Sequence, residues 1–191
     1  PDHRHDVDEG DRLIGVLPLF HIYGMCVLGV SLARRAHLVL LPRFEPRSFL
    51  ETMERYRING AFLVPPILLF LSKDPMAAEH DLSALEWIVT GAASLDPVMQ
   101  TSLAAKLGVP IRQGWGMTEL CQAAFSPLTS PIVPGAVGRA LPGTTLKVVD
   151  VESGNTLAPM QTGEICVQGP QVMLGYLDRP EETASILRDG W

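Results

Sequence analysis

Short apolar runs closed off by Gly, Pro or charged residues recur through the first two thirds of the chain, at 13–17, 37–41, 61–64, 87–90 and 110–113. Runs of four or five residues are too short for helices and suit strands. Between them lie stretches with helical periodicity. Residues 45–57 put Phe49, Leu50, Met53 and Tyr56 on one face, with Pro46 suited to a first turn and Asn59-Gly60 to a stop. Residues 95–107 behave similarly, with Asp96 as N-cap, Pro97 in the first turn and Gly108 as terminator. Parallel strands need long crossovers and helices supply them. The alternation therefore predicts an α/β fold with a largely parallel sheet flanked by helices.

Beyond Phe125 the pattern changes. Ser126-Pro127, Ser130-Pro131 and Pro134-Gly135 form a Pro-rich passage without helical period. Residues 144–150 and 164–168 then read as strands joined through Ser153-Gly154-Asn155 and Pro159, as in a meander or a small distorted barrel. The expected organisation is an α/β subdomain over 1–125 and a smaller β-rich subdomain over 126–191.

Composition narrows the function classes. With 47% hydrophobic and 19% charged residues the chain can build a sizeable core. A net charge of −6 and no clustered Lys/Arg run argue against nucleic acid or an anionic membrane surface as partner. Residues 13–33 carry no charge and are about long enough to cross a bilayer. Pro18, His21, Gly15, Gly24 and Gly29 break that run into an apolar strand, a turn and a second apolar segment, so no transmembrane segment is expected. The first twelve residues lack the basic stretch and cleavage site of a signal peptide. Cys26, Cys121 and Cys166 match neither zinc-ligand spacing nor an even disulfide framework. They read as ordinary small buried residues in a reducing cytoplasm.

Three segments could carry chemistry. Gln113-Gly114-Trp115-Gly116-Met117-Thr118-Glu119 follows a predicted strand and so emerges at a carboxyl end, where open α/β sheets place ligands. Its glycines admit close backbone approach, Trp115 offers a flat surface for a base, Thr118 a hydroxyl for a phosphate oxygen, and Glu119 a hard oxygen for Mg²⁺. The same pattern also makes a good strand-to-helix junction with no ligand. Thr90-Gly91-Ala92-Ala93-Ser94 leaves room for a flat ligand or for close helix packing. His21, among apolar neighbours at a strand end, suits a hydrogen-bonded core position as well as a functional one.

Together the residues resemble the adenylate-forming superfamily, in its 4-coumarate:CoA ligase and beetle luciferase branch. The blocks run in order: Leu17-Pro18-Leu19-Phe20-His21-Ile22-Tyr23-Gly24, Val64-Pro65-Pro66, Gly91-Ala92-Ala93, Gln113 to Glu119, Gly135-Ala136-Val137-Gly138-Arg139, and Thr162-Gly163-Glu164-Ile165 with Gly169-Pro170-Gln171-Val172-Met173 and Gly175-Tyr176. They cover nearly the whole chain. The resemblance implies a carboxylic acid substrate, ATP/AMP, Mg²⁺ and coenzyme A. Acyl-AMP would form with release of pyrophosphate, and the CoA thiol would then displace AMP. It implies catalytic roles for His21, Thr118 and Glu119, with Glu119 also holding the metal. Gly91, Ala92, Ala93, Gln113, Gly114, Trp115, Gly116, Met117 and Thr118 would bind the nucleotide. His21, Ile22, Tyr23, Gly91, Gly114, Cys121 and Ala123 would line the acyl site. The family often has Tyr where Trp115 stands, so stacking is kept and a phenol hydroxyl lost.

Departures matter too. The family's Ser/Thr/Gly-rich phosphate loop does not precede Asp11, and its later Thr-Gly-Asp and C-terminal catalytic Lys do not follow Trp191. The expectation is an internal piece of a ligase, inactive without the N- and C-terminal parts of the same polypeptide. Gly116-Met117-Thr118-Glu119 and His21-Ile22-Tyr23 favour CoA ligases, with aromatic or short-to-medium-chain acids as substrates. A luciferase-like enzyme, a peptide-synthetase adenylation domain and a non-catalytic binding remnant are the alternatives.

Overall fold

Strands β1 (Arg12–Gly15), β2 (His37–Leu40), β3 (Gly60–Leu63), β4 (Trp87–Thr90) and β5 (Ile111–Met117) run parallel in the order β2-β1-β3-β4-β5. They belong to a computed structural model that describes residues 7–127 and 129–191. Two antiparallel strands, β6 (Cys121–Phe125) and β7 (Arg139–Ala140), extend this to a seven-stranded sheet. From β1 the chain moves outward to β2, then crosses back to β3 on the other side. Such a reversal opens a crevice at the carboxyl ends of the strands.

Side chains on a strand alternate between faces, and here the alternation sorts the core into two layers. Ile14, Ala61, Leu63, Ile88 and Ile111 pack with helices α2 (Pro46–Arg55), α3 (Pro65–Lys73) and α4 (Pro97–Leu107). Leu13, Trp87, Val89 and Phe125 face the opposite side, where Val30 of helix α1 (Ile22–Arg34) covers them. Each amphipathic helix docks through its apolar stripe. Phe49, Leu50 and Met53 of α2 are almost completely buried, each contributing roughly 2 kcal/mol relative to exposure. Asp96 caps α4 as its position predicts: Oδ1 accepts from the Val98 and Met99 amides at 2.9 and 3.1 Å, and Gly108 ends the helix in a left-handed conformation.

The second apolar segment after β1 is a helix, α1, with Gly24 and Gly29 inside it. Gly24 is there because the first turn presses on the Pro18 carbonyl, which a methyl group would overlap. No helix among the described residues is long and apolar enough to cross a membrane. Asn59-Gly60 does not terminate α2, which ends at Arg55. Asn59 instead ties β1, accepting from the Arg12 amide at 2.8 Å and donating to Asp11 at 2.8 Å, and Gly60 lies in β3 flat under the Trp87 ring. Helix α3 begins with Pro65-Pro66, prolines tolerated in a first turn that lacks intrahelical N–H partners anyway.

Past residue 126, β7 still bonds to β6 of the main sheet. Strands β8 (Thr145–Val149) and β9 (Glu164–Gln168) form a separate antiparallel pair, with Asp150 Oδ1 accepting from Ser153 N at 2.8 Å at the start of their connection. A short helix, α5 (Pro180–Ile186), follows and buries none of its residues. Residues 1–6, part of the segment read for a signal peptide, and Leu128 in the Pro-rich passage lie outside the described residues.

Candidate functional site

A cavity of about 400 Å³ opens at the carboxyl ends of β4 and β5, walled by the start of α1 and by β6. That volume lies within the usual range for small-molecule sites.

One wall is the N-terminus of α1. His21 is its N-cap, and Nδ1 accepts from the Tyr23 amide at 3.1 Å. That bond requires the neutral ring with its proton on Nε2. His21, Ile22 and Tyr23 all line the cavity. The Tyr23 hydroxyl donates to the Val89 carbonyl at 3.1 Å, with the Leu63 carbonyl at 3.5 Å, and so bridges α1 to the ends of β3 and β4. Burial, and secondarily Cys26, pushes the phenol pKa well above its ordinary value, so Tyr23 stays a neutral donor.

The end of β4 supplies a second wall. Gly91 and Ala92 line it, and a methyl on Gly91 would sit 3.5 Å from the Tyr23 ring. Ala92 holds a left-handed φ of 66°, a strained conformation of the kind that clusters at binding sites. Thr90, fully buried beside the cavity, has a hydroxyl with no hydrogen-bond partner among the described residues. Buried hydroxyls are nearly always paired, so this one is a candidate ligand contact.

The third wall is the β5–β6 hairpin. Gly114, Trp115, Gly116, Met117, Thr118, Glu119 and Cys121 line the cavity from it. β5 continues as a strand to Met117 and turns back, so the segment is a hairpin and not a strand-to-helix junction. Gly116 is obligatory, since an added methyl would land on the Cys121 carbonyl oxygen. A register shift between Trp115 and Gly116 kinks the ladder, a device that commonly re-aims side chains near functional sites. Trp115 backs onto Leu120 and Ala123. Glu119 is braced from the chain after β9: Tyr176 donates to Oε1 at 2.5 Å, and the Met173 amide to the Glu119 carbonyl at 2.7 Å. The carboxylate raises the Tyr176 pKa, first by accepting that hydrogen bond.

Three expected residues do not line the cavity. Gln113 is buried beneath it, with Oε1 accepting from Leu95 N at 3.0 Å and Nε2 donating to Leu95 O at 3.0 Å and Gln100 Oε1 at 2.9 Å. Ala93 is exposed on the loop after β4, and Ala123 of β6 is fully buried, packed with Leu120 and Val167. Conversely, Cys26, Phe62 and Gln122 line the cavity although the sequence offers no signal for them, and Thr90 lines it as the first residue of the Thr90–Ser94 segment.

The family model described as AMP-binding enzyme matches residues 1–177. The chain belongs to the AMP-binding enzyme family. Among its curated relatives are a 4-coumarate–CoA ligase 2 of Oryza sativa subsp. japonica, 40% identical over 95% of this chain and 33% of that protein, and the luciferin 4-monooxygenase of Photinus pyralis, 38% identical over 94% and 33%. The chain thus spans about a third of the length of the curated relatives it matches. The crystal structure of ATP-bound MatB from Rhodopseudomonas palustris superposes with a TM-score of 0.87 at 34% identity, covering 95% of this chain and 36% of that one.

For an AMP-binding enzyme the donor set is apt. The described residues contain no cluster of three or more His, Cys, Asp or Glu that could cage a metal by itself. A single carboxylate, Glu119, suits a Mg²⁺ ion that arrives on a polyphosphate and keeps phosphate and water ligands. Glu119 Oε2 makes no hydrogen bond among the described residues and is available for that purpose.

Proposed function

We propose that this chain supplies the acyl and adenylate pockets of an ATP-dependent ligase that activates a carboxylic acid as acyl-AMP and passes the acyl group to coenzyme A. The supporting observation is the convergence in one cavity of the His21–Tyr23, Gly91–Ala92 and Trp115–Glu119 segments. Trp115 would stack on adenine, with Gly114 and Gly116 admitting the nucleotide close to backbone. Thr118 would hold the α-phosphate, where negative charge builds as the carboxylate oxygen attacks phosphorus and pyrophosphate leaves. Mg²⁺ at Glu119 would neutralise that charge. Ile22, Tyr23 and Cys121 would position the acid, with His21 beside the reacting carboxylate, and thiol attack on the acyl carbon would expel AMP. Positioning and electrostatics suffice for both steps, and neither needs a side-chain nucleophile.

The names of the relatives favour an aromatic, 4-coumarate-like acid, with short-to-medium-chain acids next. We place the enzyme in the cytoplasm. The 191-residue chain by itself is proposed to bind ligands without turnover. The test is acid-dependent exchange of labelled pyrophosphate into ATP, and thioester formation with CoA, by the full open reading frame that contains this chain. Exchange with at least one acid of these classes, reduced 100-fold or more by Glu119→Gln, is expected. A full-length protein that exchanges with none of them would refute the proposal.

A further inference from the structure

Cys26 and Cys121 are 95 positions apart in sequence, yet their sulfurs lie 2.8 Å from one another. Cys26 sits in α1 and Cys121 is the first residue of β6, and both line the cavity. The separation is not far from the ~2.05 Å of a disulfide bond. The backbone is fixed on both sides. Gly24 seats α1 on the Pro18 carbonyl, and the Tyr23 hydroxyl pins the helix to β4. Cys121 is held at φ 60° where the hairpin turns back, with Gly116 packed on its carbonyl. The sulfurs therefore meet because two rigid elements bring them together.

We propose that Cys26 and Cys121 are a redox pair that closes to an intramolecular disulfide, stapling α1 to the β5–β6 hairpin across the cavity wall. In the reduced protein the two thiols share a hydrogen bond. Burial, followed by that contact with Cys121, pushes the Cys26 thiol up to about 12, and either sulfur can donate in the contact. Exchange begins at Cys121, the sulfur at the hairpin turn. As thiolate it attacks a low-molecular-weight disulfide such as oxidised glutathione, forming a mixed disulfide and releasing one glutathione. Cys26 then loses its proton and attacks the Cys121 sulfur. The bond to the second glutathione breaks, and that glutathione leaves with the electron pair. Two protein thiols are oxidised and one glutathione disulfide is reduced.

Cys166 is an internal control. It lies on β9 opposite Lys147, in the smaller sheet. The staple joins the Ile22–Tyr23 wall to the Trp115–Glu119 wall and closes a loop of roughly a hundred residues, which corresponds to a rise in Tm of roughly 10 °C.

The test uses the full 191-residue chain, fully reduced and then equilibrated with oxidised glutathione, acid-quenched, and analysed by thiol titration, intact mass and peptide mapping. Free thiols are expected to fall from three to one with the loss of two hydrogens and a cross-link between the Cys26 and Cys121 peptides. The linked form should melt higher. Cys166→Ser should form the same link, which keeps the test decisive if Cys26→Ser or Cys121→Ser fails to fold. Three free thiols after oxidation, stable glutathione adducts on Cys26 or Cys121, a link through Cys166, or a linked form that melts no higher would each overturn the proposal.

Discussion

Replacing Gln113 with Ala separates a structural role from a nucleotide-binding one. The Gln113 amide spends its capacity on three buried partners: the Leu95 amide, the Leu95 carbonyl and Gln100 Oε1. Gln100 in turn donates to the Ile111 carbonyl at 2.8 Å and accepts from the Gly135 amide at 2.8 Å. The network fastens the loop before α4 and the Pro-rich passage to the first half of β5. Each lost bond is worth about 1 kcal/mol, and stranded buried partners cost more. The sum is roughly 3 kcal/mol, which for a chain of this size lowers Tm by roughly 6–12 °C. Thermal unfolding by circular dichroism, with AMP titrated into the folded variant, reads both quantities. The expected result is a large fall in Tm, with AMP affinity changed only as far as the loop relaxes. An unchanged Tm together with abolished AMP binding would refute the reasoning and return Gln113 to the pocket.

Gly116→Ala drives a methyl into the Cys121 carbonyl, so the hairpin must shift. A loss of 2 kcal/mol or more in urea unfolding, with loss of AMP binding, is expected. Glu119→Gln keeps an acceptor for Tyr176 but removes the charge. Removing the charge takes away one of the causes that raise the phenol pKa while the hydrogen bond and burial remain, so the Tyr176 titration, read as the absorbance difference from Tyr176→Phe, should move down in pH. The raised value also means that this contact's contribution to stability is present below pH ~10 and is lost as pH rises through the folded pKa. An unmoved titration would contradict the contact. Thr90→Val removes an orphaned buried hydroxyl. Stability should hold or rise by up to ~1 kcal/mol while ligand affinity falls, and the opposite pattern would exclude Thr90 from binding.

Local signals were legible where one residue dictates backbone geometry. Asp96, Pro97 and Gly108 bracket α4, and the first four parallel strands lie within a residue or two of the apolar runs, while β5 runs four residues past its own to Met117. Where a residue's partner is distant in sequence, local signals mislead. Gly24 and Gly60 look like breakers until the Pro18 carbonyl and the Trp87 ring are seen lying against them. The candidate site was legible as blocks, because His21–Tyr23 and Gly91–Ala92 come after β1 and β4, Trp115–Glu119 extends from the parallel part of β5, and parallel strands bring their carboxyl ends to one edge. Its depth was not. Side chains on a strand alternate faces, so Gln113 points into the α4 layer while Gly114 faces the cavity. The contact between Cys26 and Cys121 depends on packing α1 against β6, which no spacing rule encodes.

An amide-resolved NMR titration of the isotope-labelled chain with AMP tests the central claim most directly. Shifts at Gly91, Ala92, Trp115, Thr118 and Glu119 that move together and saturate would be the predicted result. No shift at millimolar AMP, or shifts confined to the β8–β9 sheet, would contradict it.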